Sequence, residues 1–193
     1  MMKRYVYASI RMAVLTLVVL GLLYPLAVTG LAQVFMPAKA NGSLVTSSNG
    51  TIVGSSLIGQ GFTDAKYFHG RPSAAGADGY DATASSASNL APTSQALVDT
   101  VKSRVASAAL ENPGLASGTV PVDMVTASGS GLDPDITLAN AYAQVARVAK
   151  ARSLTDAAVR AIVDNNVTGR QFGVLGEPRV NVLLLNLALD AAK

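Results

Sequence analysis

The sequence predicts an α+β protein: one N-terminal transmembrane helix, then a single extracytoplasmic domain with a small sheet and about four helices. Three observations predict it. Met12 to Met36 is a run of 25 residues without a charge. Leu44 to Ile58 holds two short β-type runs about an Asn-Gly pair. After Thr93 the apolar residues recur at helical spacing.

The uncharged run is long enough to span a membrane. As a helix it would reach roughly 37 Å, against a hydrocarbon core of ~30 Å. Lipid offers no partner to free backbone groups, so a spanning segment must be helical. Pro25 cannot donate to the carbonyl of Gly21, which predicts a kink rather than a break. Lys3, Arg4 and Arg11 precede the run and only Lys39 follows closely. The expected organisation is therefore a cytoplasmic N-terminus over residues 1–11, a transmembrane helix over 12–36, and an extracytoplasmic domain over 41–193 in a single-pass protein. A cleaved signal peptide, with Ala38-Lys39-Ala40 as its processing site, is the competing reading; its apolar core would normally be only about 7–15 residues.

Composition narrows the function classes. Of the 15 basic residues, Lys3, Arg4, Arg11 and Lys39 flank the span, leaving 11 against 12 acidic ones in the domain. No basic patch remains, which argues against nucleic acid. The chain has no Cys, so it has no disulfide and no sulfur metal site.

Within the domain, Leu44–Thr46 and Thr51–Ile58 read as strands joined through Asn49-Gly50. Gly59-Gln60-Gly61 ends the second. From Phe62 to Thr93 a long loop has few aliphatic residues but carries Phe62, Tyr67, Phe68 and Tyr80. A first helix opens near Thr93 or Ser94, presents Leu97, Val98, Val101, Val105 and Ala108 on one face, and stops at Asn112-Pro113-Gly114. Val120–Thr126 reads as a strand entering the turn Ser128-Gly129-Ser130-Gly131. A second helix, capped by Asp135 or Thr137, carries Leu138, Ala141, Tyr142, Val145 and Val148, with Arg147, Lys150 and Arg152 near its negative end. Thr155-Asp156 opens a third helix, Gly173–Arg179 is a turn, and Asn181 caps the last helix.

Several constellations fall short of a chemistry. Gly54 to Gly61 has the G-x-x-x-x-G frame of a phosphate loop, but Gln60 replaces its Lys. Gly59 and Gln60 are thus weak candidates for contact with a nucleotide. His69 is the only histidine; without Cys or a second His it cannot form a usual zinc site, and the chain offers no G-x-S-x-G elbow. Ser128 to Pro134 suits either an anion-binding nest or a plain turn into a helix. No metal ligand set and no catalytic residue is assigned.

Six blocks together resemble the C subunit of the Kdp-type bacterial potassium-transporting P-type ATPase. They are Tyr24–Gly30, Ala40–Leu44, Gly54–Gln60, Tyr67–Ser73, Thr126–Pro134 and Gly176–Val182. The likeness runs from about residue 12 to 190, with Ala146 and Leu184 where that family often has Pro and Glu. It implies a non-catalytic accessory subunit of an ATP-driven potassium import complex in the bacterial inner membrane. Its implied partners are a channel-like potassium-binding subunit, an ATP-hydrolysing P-type subunit and a small single-span subunit, with membrane lipid around the anchor. ATP, Mg2+ and K+ are used by such a complex, and the family's C subunit is described as a chaperone-like factor that raises the ATP affinity of the hydrolysing subunit. The alternative is a membrane-anchored periplasmic enzyme with a site around His69.

The partner-facing surface is expected on the aromatic loop and the glycine turn: Phe62, Tyr67, Phe68, His69 and Arg71 on the first, Ser128, Gly129, Ser130, Gly131 and Asp133 on the second. Aromatic residues and Arg are favoured at interface hot spots. Arg71 is expected to be exposed and dispensable for folding, and the aromatics could instead tuck the loop onto its own sheet.

Overall fold

A computed structural model describes residues 2–47, 49–115 and 119–192. The chain divides into two compact units, Met1–Leu44 and Val45–Lys193. The first is almost wholly helical. Helix α1 covers Met2–Val18, a π-helical turn covers Val19–Leu23, and α2 covers Tyr24–Phe35. Together they make one helix of 34 residues, long and apolar enough to cross a membrane. It begins ten residues ahead of the uncharged run, with Tyr7 beneath the Arg11 guanidinium at 5.6 Å. The π-turn ends two residues before Pro25, and the Tyr24 N–H donates to Val19 O, five residues back. A local change of helical register is one way to accommodate the carbonyls that a proline leaves unpaired. A short α3, Pro37–Ala40, ends this unit near the left-handed Gly42.

The second unit opens with a two-stranded sheet of β1, Leu44–Thr46, and β2, Ile52–Ser55. The turn between them has Gly50 at φ +82° and a Ser47 N–H to Thr51 O bond of 2.9 Å. Residues 56–94 then run without helix or strand. Helix α4 is Gln95–Glu111 and α5 is the single turn Val122–Val125. Strand β3, Asp135–Thr137, leads into α6, Leu138–Arg152. Helix α7, Asp156–Asn165, strands β4, Val167–Thr168, and β5, Arg179–Asn181, and helix α8, Val182–Ala191, complete the chain.

Two expectations need correction. Val120–Thr126 is not a strand: Pro121 starts the α5 turn and Thr126 Oγ1 closes it on Val122 O. The β-branched residues there signalled a strand, but the buried Asp123 carboxylate must reach Thr137 N at 2.8 Å and Asn140 Nδ2 at 3.0 Å, and one helical turn provides that reach. The expected hairpin sheet is present, but the domain also holds a second sheet, built from segments not expected to be strands. A three-stranded antiparallel sheet, ordered β3-β5-β4, pairs Ile136 and Val167 with Val180. Its strands of two or three residues are too short to show alternation.

The caps follow from chemistry. Thr137, rather than Asp135, caps α6 by accepting from Asn140 N at 3.1 Å. Thr155 accepts from Ala158 N and Asn181 from Leu184 N. The core joins α6, α7, α8 and the three-stranded sheet through Ile136, Val145, Val148, Val159, Val163, Val180, Leu185 and Leu189. Phe68, from the long loop, is buried among them. Helix α4 is looser, burying only Ala108 among its described residues.

Candidate functional site

The aromatic loop is held as if it were a strand. Two buried side-chain amides replace the neighbouring strands it lacks. Asn186 on α8 accepts from Phe68 N at 2.8 Å and donates to Phe68 O at 3.0 Å. Gln144 on α6 does the same for His69, accepting at 2.8 Å and donating at 3.0 Å. A buried backbone needs such partners, because an unmade bond there costs about 1–3 kcal/mol.

Two arginines close the clamp. Arg147 Nη1 donates to Ala65 O and Tyr67 O at 2.7 and 2.9 Å, and its Nε reaches Asn112 Oδ1 at 3.1 Å. The sequence marks Arg147 only as a cation near the negative end of α6; it is buried and ties loop, α4 and α6 together. Arg152 donates to Lys66 O at 2.7 Å and to Asp190 at 2.8 Å, and lies over the Tyr67 ring at 5.1 Å. Tyr67 Oη in turn donates to Asp190 at 3.1 Å, and its ring meets Phe62 at 5.6 Å.

The glycine turn locks onto the same loop. Arg71 pairs with Asp133 at 2.9 Å and reaches the Thr126 and Ala127 carbonyls at 3.5 and 3.4 Å. Ser73 Oγ donates to Gly131 O at 2.6 Å, and the Ser86 N–H and Ser85 Oγ donate to Ser130 O. Gly131 sits at φ +69°, and a methyl there would lie 2.6 Å from Ser86 O and 2.8 Å from Ala75 N. Only glycine fits this crossing. Ser130 Oγ caps Leu132 N at 3.1 Å, and Gly129 stands exposed beside it. Tyr80, at φ +57°, donates its hydroxyl to Arg71 O. Burial, and then the Asp133 charge, raise that phenol above its ordinary range.

The predicted residues thus separate. Arg71 meets Asp133 and Gly131 crosses the loop at Ser73, Ala75 and Ser86, whereas His69 turns to Glu111 and Arg147. Phe68 is fully buried in the chain's own core, and Ser128 and Gly131 of the turn are buried as well, which corrects their place among the partner-facing candidates. Arg71 is half-buried and ion-paired, not the free cation expected. Gly59 and Gln60 serve the fold: Gly59 N donates to Leu132 O at 2.8 Å, and the Gln60 amide packs on Gly54 and donates to Val53 O at 3.2 Å.

A pocket of about 190 Å3 opens between the loop and α4, with His69, Arg71, Arg104 and Glu111 in its wall. His69 Nδ1 faces Glu111 at 3.6 Å, while Nε2 lies 3.2 Å from Asp64 O and 3.4 Å from Arg147 Nη1. Burial first, then the Arg147 charge, hold its pKa below the ordinary value, so the imidazole is kept neutral. Among the described residues, no cluster of three His, Cys, Asp or Glu side chains could hold a metal.

Sequence reasoning missed Gln144 and Asn186, and gave Arg147 only a place at the end of its helix. A signal was present: Asn140, Gln144 and Arg147 recur at helical spacing on the face that also carries Ala141, Val145 and Val148. Asn186 likewise falls between Leu183 and Leu189 on the apolar face of α8. Polar residues in a core stripe need partners, and here the partner is a backbone.

The family profile that matches residues 6–191 is KdpC, described as the c chain of the K+-transporting ATPase. Among curated proteins, the Potassium-transporting ATPase KdpC subunit of Myxococcus xanthus is 58% identical over 182 residues, 94% of this chain and 85% of the relative. The subunit of that name from Koribacter versatilis is 54% identical over 192 residues, 100% and 97% of the two chains. That of Acidobacterium capsulatum is 59% identical over 177 residues, 92% of each.

Proposed function

The chain belongs to the KdpC family of K+-transporting ATPase c chains, and from that premise we propose that it is a non-catalytic accessory subunit of an ATP-driven potassium import complex. The observation that carries the reading is the extent of the likeness. It covers the apolar helix and the domain together, in relatives named as subunits of a potassium-transporting ATPase. The chain would assemble with a potassium-binding subunit, an ATP-hydrolysing subunit and a small single-span subunit.

Orientation follows from charge. Three basic residues precede the uncharged run and one follows it, which favours a cytoplasmic N-terminus and an extracytoplasmic domain in the inner membrane. ATP is then on the far side of the membrane from the domain. Any gain in the ATP affinity of the hydrolysing subunit would be transmitted through the apolar helix or a neighbouring subunit, as a coupling between separate sites. The Gln60 amide, turned onto Val53 O and Gly54, is spoken for within the fold and supports a domain that does not hold nucleotide itself.

The pocket beside His69 favours the alternative of a periplasmic enzyme, but the neutral imidazole faces Glu111, Asp64 O and Arg147, an arrangement suited to holding the loop. The discriminating experiment is purification of the tagged full chain from detergent-solubilised membranes, with companions identified by mass. Co-purification of the other ATPase subunits is expected. A chain that purifies alone and turns over a substrate would replace this reading with the enzyme.

A further inference from the structure

The hairpin between β4 and β5 holds three large apolar side chains in water. Phe172 is 85% exposed, Val174 72% and Leu175 57%. The hairpin is nonetheless built rigidly. Gln171 and Leu175 exchange both backbone hydrogen bonds at 2.9 Å, and the Val174 N–H reaches Gln171 O at 3.3 Å. At the base, Arg170 Nη2 meets both Glu177 carboxylate oxygens at 2.9 and 2.7 Å.

Its tip is locally the wrong residue for folding. Phe172 and Gly173 lie at φ +54° and +78°, two successive left-handed residues as in a type I′ turn. Asn, Asp or Gly normally fills the first of these positions, and a phenylalanine there is strained. The ring recovers nothing by burial within its own chain. Strain held at an exposed aromatic points to a use outside the fold.

We propose that this tip is a docking knob, which inserts Phe172, Val174 and Leu175 into an apolar cleft on another protein subunit. Charge decides between protein and bilayer. Arg170 is satisfied by Glu177, and Arg179 by Asp135 at 2.7 Å, so the flanking cations are neutralised inside the chain. Surfaces that lie on anionic lipid instead carry unpaired basic residues around their apolar face. A neutral, rigid and apolar tip matches a dry protein cleft, and its closed backbone leaves little to order on binding.

The inference rests on the accessory-subunit reading. It is tested with the full chain co-expressed with the other ATPase subunits. Phe172→Asn places a residue suited to the left-handed position, so the purified variant should melt no lower than the wild type. Its yield of co-purified subunits should fall at least about tenfold, the loss of a hot-spot side chain. A photo-crosslinking amino acid at position 172 should form an adduct with a protein subunit. Wild-type assembly with an equal yield for Phe172→Asn overturns the knob, as does adduct formation with lipid only. A marked loss of melting temperature in Phe172→Asn also overturns it, because the ring would then serve the fold. A wild-type chain that purifies alone overturns the accessory reading itself and the knob with it.

Discussion

At the scale of single residues, exposure decides what each candidate can do. Phe68 is fully enclosed, so Phe68→Ala should cost about 3–5 kcal/mol of domain stability, read by chemical denaturation. Arg71→Ala breaks a half-buried pair with Asp133 and should cost about 1–2 kcal/mol, more than an exposed arginine would. Equal and negligible losses in both would mean that the loop is not clamped. His69 provides a pH test. Its folded pKa lies below 6.5 because of burial and then Arg147, so the unfolded chain binds the proton first as pH falls. The contribution is present above about pH 6.5 and is lost as pH falls from there toward the folded pKa. Melting temperature should therefore drop as pH falls below about 6.5, and His69→Gln should flatten that drop. A variant with the full wild-type slope would assign the pH dependence to other groups.

At the scale of elements, the loop of residues 62–80 behaves as a strand whose neighbours are side chains. Asn186→Ala leaves the Phe68 N–H and C=O buried without partners, at about 1–3 kcal/mol for each group left bare. Hydrogen exchange should then speed up at Phe68 and His69 before it does so in β5 or α7. Uniform acceleration across the domain would show that the amide grip is not a separable unit. The helices were legible from their apolar stripes, and three of them from a cap as well: Thr137, Thr155 and Asn181 all accept the hydrogen bonds their positions suggest, while Ser94 before α4 makes no side-chain cap bond. Strands β3, β4 and β5 were not, since two or three residues carry no period. The Val122–Val125 turn misled for the opposite reason: strand-forming residues yielded to the bonds of Asp123.

At the scale of the whole molecule, the N-terminal helix exposes apolar residues along its length, with none buried in the chain itself. Lipid or other helices must cover it, since about 25 cal/mol is at stake for each Å2 of apolar surface. Protease added to intact spheroplasts should digest the chain beyond Asn41 and leave the helix in the membrane. A protected domain, or a mature chain that begins at Asn41, would overturn the anchored, outward-facing arrangement. Membership of the KdpC family identifies such a chain as the c chain of a K+-transporting ATPase.

The membrane helix, the four longer helices of the domain and the family were decided by the sequence alone. Each rests on local information: an uninterrupted uncharged run, 3.6-residue spacing joined in α6, α7 and α8 to a capping side chain, and blocks of residues in a fixed order. What only the tertiary structure decided is non-local. Phe68 and Tyr67 look alike as exposed loop aromatics until Asn186, 118 residues away, draws the first into the core while Arg152 and Asp190 hold the second at the surface. Gly131 reads as one more turn glycine until Ser86 and Ala75 cross it at distances that admit no methyl. Burial, and with it the role of each polar group, depends on which distant segments meet, and a chain of local preferences does not record that meeting.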